Sequence, residues 1–270
     1  MATKRLAMER GLVQRRHREH DVPANSIQSA PAVSAVIKQV FDFLVVLDFE
    51  STCWEAQGGT PKPEIIEFPA VLLSLHSGEV VAEFQQYVKP QEQPVLSPFC
   101  TSLTGITQQQ VDAGVPLGTC LHLFRKWLNQ LCEQHQLTFT TTRPGHLIAF
   151  ATWTGESLIQ WLYQHWDLGT CLKQECKRKN LDKPSYFNQW ADIKRLYREF
   201  YKRKPQGLAG ALQDLGLTFQ GRQHSGLCDA RNTATLITRM ARDGCVLTVT
   251  KTLGPEAPCG KTLSAHRKKC

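Results

Sequence analysis

The sequence lacks the features of a membrane protein. None of its apolar runs reaches the roughly 18 residues that a helix needs to cross a bilayer, so no transmembrane helix and no membrane partner are expected. Residues 1–20 are rich in arginine but contain no serine, and they include Glu9 and Glu19. These features argue against a transit peptide and favour a disordered basic arm.

The cysteines lack the spacing of a zinc site or of a disulfide framework. The chain has ten cysteines but no CxxC pair, and no secretory signal precedes them. Cys259, His266 and Cys270 supply three potential zinc ligands, whereas a structural zinc site needs a fourth. We therefore expect reduced thiols in an intracellular protein of the cytoplasm or nucleus, without structural zinc.

Positive charge is concentrated in a few segments. The formal net charge is +8, and the two ends account for all of it: residues 1–20 carry six Lys or Arg against two acids, and residues 251–270 carry five against one. Within the neutral remainder, residues 173–204, here called the basic strip, hold eleven Lys or Arg against four acids. Such a strip suits a polyanion like nucleic acid, although solvated helix faces would have the same composition.

The spacing of apolar residues predicts an α/β domain. Strands are predicted at 43–50, 65–76, 80–88 and 146–153, and helices within 96–113, from Pro116 onward, at 168–179, around 196–201, at 207–215 and at 227–242. The first three strands are expected to form an antiparallel meander. Strands that then alternate with helices predict a mixed sheet with additional parallel strands, flanked by helices. We expect this domain at 41–245, between a basic arm and linker (1–40) and a basic tail (246–270).

Two carboxylates follow the first predicted strand. Asp48 and Glu50 are separated by one residue, so in an extended chain they point to the same face while Phe49 points away. Neighbouring carboxylates repel unless a cation lies between them, and hard divalent ions such as Mg²⁺ prefer oxygen ligands. Taken alone, the pair fits two solvated acids at a strand end equally well.

Further acids and a histidine occur in two distant segments. Asp167 follows Trp166 at the start of an amphipathic segment, and His224 precedes Asp229 by five residues where the last predicted helix begins. Asp-x-Glu, aromatic-Asp and His-x4-Asp in this order resemble the three motifs of the DEDDh exonuclease superfamily. The resemblance to the superfamily covers residues 41–245. Four segments also resemble its ERI-type exoribonuclease branch: 48–54, 65–69, 103–106 and 224–227.

This resemblance implies a ribonuclease-H-like fold and a 3′→5′ exonuclease that hydrolyses single-stranded RNA, or DNA, to nucleoside 5′-monophosphates. It implies that four acids hold two Mg²⁺ ions, for which Mn²⁺ can substitute: Asp48, Glu50, Asp167 and Asp229. His224 would take a proton from the attacking water, and Glu50 and His224 would contact the substrate and take part in catalysis. Residues 103–106 would line the pocket for the terminal nucleotide. Single-stranded nucleic acid, with RNA favoured, is the expected partner.

The segment before Asp167 departs from the family pattern, because residues 154–165 intervene after Trp153. If they form a loop, Asp167 can still reach the other acids, and this is the interpretation we favour. If they instead extend the following helix backward, the eleven residues from Glu156 to Asp167 span about 16 Å. Asp167 would then be carried out of reach and Glu156 could replace it. Because of this insertion, the alternative function is a catalytically weak nucleic-acid-binding module that keeps the fold without productive metal geometry.

Overall fold

A mixed β-sheet forms the centre of the described part of the chain. The computed structural model describes residues 38–55, 62–153 and 166–254. The strands are β1 (Phe43–Leu47), β2 (Glu50–Ser51), β3 (Ile65–Ser74), β4 (Val80–Tyr87), β5 (Leu137–Thr138), β6 (His146–Thr152), β7 (Gln189–Asp192) and β8 (Lys251–Thr252). They lie in the order β2-β3-β1-β6-β7-β8, with β4 also paired to β3 and β5 to β6.

The pairing directions bring three strand ends to one edge of the sheet. β1 and β4 each pair antiparallel with β3, whereas β1, β6 and β7 are parallel to one another. In this register Leu47 lies opposite Thr152, and Thr152 lies opposite Asp192. The carboxyl ends of β1, β6 and β7 therefore meet at the same edge, which is where Asp48 follows β1. The predicted antiparallel meander and mixed sheet are confirmed.

Helices cover both faces of the sheet. The described residues form α1 (Pro98–Thr104), α2 (Gln108–Asp112), α3 (Leu117–Gln134), α4 (Leu172–Arg178), α5 (Ile193–Tyr201), α6 (Gly207–Asp214) and α7 (Gly226–Arg242). A π-helical turn (Trp166–Cys171) leads into α4, and a 3₁₀ helix (Ser185–Asn188) leads into β7. Pro116 is the N-cap of α3 rather than its first helical residue.

Alternation along β1 explains why its whole sequence is apolar. Val45 and Leu47 pack in a core with α3 and α4, while Leu44 and Val46 pack in a second core with α5, α6 and α7. A strand covered on both faces buries every side chain, so it shows no polar alternation. α3 therefore lies on one face of the sheet, and α5 and α7 lie on the other.

Several boundaries differ from the prediction. The strand predicted at 43–50 is divided, because Asp48 and Phe49 lie outside β1 and β2. β5, β7 and β8 are not predicted, since they have only two to four residues each. β8 pairs with β7 and lies inside the segment that the sequence predicts to be a tail. Within the described residues, no helix is both long and apolar enough to cross a membrane.

Candidate active site

Asp48 and Glu50 stand where β1 ends and β2 begins. Phe49 between them is buried, and its ring centroid lies 4.4 Å from that of Phe68. The two acids are only partly buried, as expected for residues that alternate with a core residue. Asp48 and Glu50 thus flank a buried side chain, although the strand predicted to carry them is interrupted at this point.

Asp167 lies beside this pair. It belongs to the π-helical turn before α4, and its side chain is only 3% exposed. Its Oδ1 accepts a hydrogen bond of 3.0 Å from the backbone N–H of Phe49. The interpretation in which Asp167 is carried out of reach is therefore wrong. Glu156 and the rest of 154–165 lie outside the described residues.

His224 and Asp229 are held together at the start of α7. The Asp229 carboxylate accepts the backbone N–H of His224, and the Asp229 N–H donates to the carbonyl of Ser225 at 2.8 Å. His224 has a φ of 60°, a left-handed conformation that is uncommon for a residue other than glycine and is often found at functional sites. Residues 224–229, which form the third motif, are thus a turn that these two hydrogen bonds close.

Close backbone contact places this turn against the first motif. A Cβ at Gly226, the first residue of α7, would lie 2.5 Å from the carbonyl oxygen of Asp48. No side chain fits in that space, so only glycine allows α7 to begin so close to the end of β1. Sequence reasoning does not identify this role for Gly226, because it depends on a contact between residues far apart in the chain.

The predicted acids act on one another electrostatically. The pKa of Asp48 is raised well above its ordinary value by loss of solvent and then by the negative charges of Asp167, Asp229, Glu50 and Glu67. Burial, followed by the charge of Asp229, likewise raises the pKa of Glu50. Burial also raises the pKa values of Asp167 and Asp229 to about 7. These carboxylates lie close enough to resist simultaneous ionisation, which a cation would relieve.

The donor set fits a hard divalent cation, because all four predicted ligands are carboxylates. Within residues 38–55, 62–153 and 166–254, no three His, Cys, Asp or Glu side chains converge closely enough to chelate one ion. The support for a metal therefore comes from the chemistry of the donors and from their mutual repulsion. The acids would have to turn toward one another to hold it.

Arg222 joins the His224 turn to α1. Its Nη2 donates to the carbonyl oxygens of Ser102 (2.6 Å) and Leu103 (3.3 Å) at the end of that helix. Gly105 follows with a φ of 74°, and a Cβ there would lie 2.8 Å from the guanidinium. Loss of solvent and then the charge of Arg222 lower the pKa of His224. The segment 103–106 is thus tied to the same site.

Glu67 is a fifth acid at this site. It is buried in β3 with 1% exposure, and its charge contributes to the raised pKa values of Asp48, Glu50 and Asp229. Its carboxylate accepts the N–H groups of Gly226 and Leu227. The signal in the sequence is an acid inside an otherwise apolar strand. That signal does not say which distant group the acid contacts.

Comparisons with known proteins show that this chain is similar to exonucleases. Residues 45–143 match the family model described as "Exonuclease". The chain is 48% identical over 259 residues to ERI1 exoribonuclease 2 of Xenopus laevis, covering 94% of this chain and 35% of that protein. It is 42% identical over 241 residues to the 3′-5′ exonuclease Snipper of Drosophila melanogaster, covering 87% and 82%.

A solved structure of an exonuclease is also similar to this chain. The nuclease domain of 3′hExo, a DEDDh family member bound to rAMP, has a TM-score of 0.69 and 34% identity, covering 79% of this chain and 98% of that chain. The chain therefore belongs to the DEDDh exonuclease family, of ribonuclease-H-like fold, as predicted. More particularly, its relatives include ERI1 exoribonuclease 2, of which it spans about a third of the length. Family membership implies dependence on a divalent metal ion.

Proposed function

We propose that this chain is a metal-dependent 3′→5′ exonuclease that hydrolyses single-stranded RNA from its 3′ end to nucleoside 5′-monophosphates. The observation that carries the proposal is the hydrogen bond from the Phe49 N–H to the Asp167 carboxylate. It keeps the fourth acid beside Asp48 and Glu50 in spite of the additional residues before it. A catalytically weak binding module is not favoured, because Asp167 contacts the Phe49 backbone in spite of the insertion and the relatives are named as exonucleases.

The names of the relatives support RNA as the substrate. They include ERI1 exoribonuclease 2, whereas the name 3′-5′ exonuclease Snipper does not specify the nucleic acid. A further solved structure, on 3′-end specific recognition of histone mRNA stem-loop by 3′-exonuclease, has a TM-score of 0.69 and 33% identity, covering 82% of this chain and 71% of that chain. These names belong to the relatives and support the assignment of the same substrate class here.

In the proposed reaction, Asp48, Glu50, Asp167 and Asp229 would hold two Mg²⁺ ions, for which Mn²⁺ could substitute. Such ions activate a water and stabilise the charge on the phosphoryl oxygens and the departing 3′ oxygen. His224 takes the proton of the attacking water, a role that suits an imidazole that is neutral near pH 7. Glu50 and His224 also contact the terminal nucleotide.

A labelled RNA distinguishes the enzyme from the binding module. With a 5′-labelled single-stranded RNA we expect a ladder of shortened products in Mg²⁺ and intact RNA in EDTA. Retardation of the RNA in a native gel without shortening would instead favour the binding module. The matching DNA strand in the same assay tests the 2′-hydroxyl, which is the group that distinguishes RNA from DNA.

The basic strip has two different parts. Lys179 is nearly buried and pairs with Glu64 at 2.7 Å and with Glu175 at 2.6 Å, while Arg178 pairs with Glu92. These cations hold α4 to the start of β3 and to the loop after β4, so they are structural. Lys202 and Arg203 are exposed at the end of α5. We assign RNA binding to this second part, since exposed cations can contact phosphates.

The double variant Lys202→Ala/Arg203→Ala is expected to weaken RNA binding. If each residue contacts one phosphate, the slope of log K against log salt becomes shallower by about 1.4 for a single strand. The measurement is a salt titration of RNA binding by fluorescence anisotropy in EDTA. Lys126→Ala/Arg143→Ala is the control, because it removes the same charge from exposed positions elsewhere. An equal change in slope for both variants would mean that the effect comes from the net charge and not from phosphate contacts of Lys202 and Arg203.

A further inference from the structure

Glu67 occupies an unusual place for a charged residue. β3 is buried at all ten of its positions, and Glu67 is its one charged residue. Its Cα lies opposite that of Glu50 in β2 and that of Tyr87 in β4. A buried carboxylate is costly unless hydrogen bonds satisfy it, so its partners indicate what it does.

The partners of Glu67 lie mainly at the start of α7. Oε2 accepts the N–H of Gly226 at 3.0 Å, and Oε1 accepts the N–H of Leu227 at 3.3 Å. Oε1 also accepts Nε2 of Gln85 at 2.7 Å. Gly226 and Leu227 are the first two residues of α7, whose N–H groups have no partner within the helix. The N-cap residue Ser225 makes no side-chain capping bond.

Glu67 therefore caps α7 from a strand 159 residues earlier in the chain. A carboxylate at this end is favourable because the helix dipole is positive there. The first turn of α7 carries Asp229, and His224 precedes it. The same contact keeps Gly226 against the carbonyl of Asp48. A shift of α7 would thus move the third motif relative to the first.

We propose that Glu67 is a positioning residue that fixes the start of α7 against the strand of Asp48 and Glu50, and thereby sets the position of Asp229 and His224. Both of its oxygens accept N–H groups of α7, so it acts through α7. The catalytic consequence rests on the proposed nuclease function. The hydrogen bonds to α7 can be tested separately.

Glu67→Gln is the main test. The amide keeps the shape of the side chain but turns an NH₂ group toward N–H donors that the carboxylate accepted. We expect kcat on RNA to fall by about 10²-fold or more, since a displacement near 1 Å can have this effect, while KM changes little. Gln85→Ala is the control, because it removes the third hydrogen bond of the same carboxylate and leaves the two hydrogen bonds to α7 in place. It should leave kcat unchanged.

Amide hydrogen exchange on the full 270-residue chain provides a readout that does not depend on activity. Exchange at Gly226 and Leu227 should be faster in Glu67→Gln than in the wild type and in Gln85→Ala. Unchanged exchange at both amides would overturn the proposed cap even if the protein proved not to be a nuclease. If the cap is real but a folded Glu67→Gln retains full kcat, its role is stability alone and the positioning role is rejected.

Glu67→Asp covers the case in which Glu67→Gln does not fold. The shorter side chain keeps the carboxylate but reaches less far toward α7, so we expect a kcat that is below the wild-type value but measurable, and partial protection of the two amides. Wild-type kcat together with weakened protection in Glu67→Asp would contradict the link between the cap and catalysis. Lack of cleavage by the wild type would reject the proposed function and leave the exchange result to decide on the cap.

Discussion

Replacement of Asp48 or Asp167 by Ala is expected to abolish metal-dependent cleavage of RNA while leaving RNA binding measurable. Each residue would supply a ligand to the metal, whereas RNA binding also uses exposed cations such as Lys202 and Arg203. We expect a loss of at least about 10³-fold in the single-turnover rate, which corresponds to about 4 kcal/mol of transition-state stabilisation. Rates are measured with Mg²⁺ in excess, and binding is measured in EDTA.

Loss of one acid should not unfold the metal-free protein. The charges of neighbouring carboxylates raise the pKa of Asp48, so removal of Asp48 also removes like-charge repulsion. The thermal unfolding midpoint of the metal-free Asp48→Ala variant is therefore a direct control for folding. A large fall in this midpoint would mean that the loss of cleavage comes from unfolding.

Glu156→Ala is the matched control for Asp167→Ala. The contact between Phe49 and Asp167 predicts that cleavage is lost only in the Asp167 variant. Loss only in the Glu156 variant would mean that Glu156 is the fourth ligand. Turnover equal to that of the wild type by both the Asp48 and Asp167 variants would reject the proposed site.

The sequence predicts those features of the site that local geometry determines. Asp48 and Glu50 are expected to share a side because alternate residues of an extended chain do so, and the apolar run before them predicts the buried strand β1. The position of Asp167 is different. Residues 154–165 allow both a loop and a longer helix, and periodicity cannot choose between them. The place of Asp167 itself depends on its hydrogen bond to Phe49, which connects residues 118 positions apart.

The roles of Glu67 and Gly226 depend on tertiary contacts of the same kind. An acid in a buried strand is recognisable in the sequence, yet its partner N–H groups follow only from the packing of α7 on β3. β7 is also not predicted, because its four residues are too few to establish an alternation. Short strands and long-range hydrogen bonds are thus the parts of this fold that a pattern of residues does not specify.

The exposed part of the basic strip also shows why composition has to be combined with burial. Lys179 and Lys202 contribute equally to a count of charges. Lys179, however, is held between Glu64 and Glu175, so its replacement would remove the cation that pairs with two buried acids. Lys202 is exposed and its replacement removes only a surface charge. The same residue type therefore supports the fold at one position and can contact RNA at another.

Replacement of His224 by Asn is expected to lower the single-turnover rate by about 10²–10⁴-fold, the usual contribution of a general base. Asn tolerates the left-handed conformation better than Ala, and the φ of His224 is 60°. The variant should therefore keep the backbone N–H of residue 224 bound to the Asp229 carboxylate and remove only the imidazole. The dependence of the rate on Mg²⁺ concentration should keep its midpoint.

Three further variants make this result specific. His224→Gly also allows a positive φ, so it should show the same loss as His224→Asn, whereas His224→Ala adds backbone strain to the loss of the imidazole. His146→Ala is the control, because His146 is exposed at the opposite end of β6 and pairs with Asp42. If the Mg²⁺ midpoint shifts while the rate at saturating metal stays at the wild-type value, His224 is a metal ligand and not the base. Wild-type rates in both the Asn and Gly variants would exclude both roles.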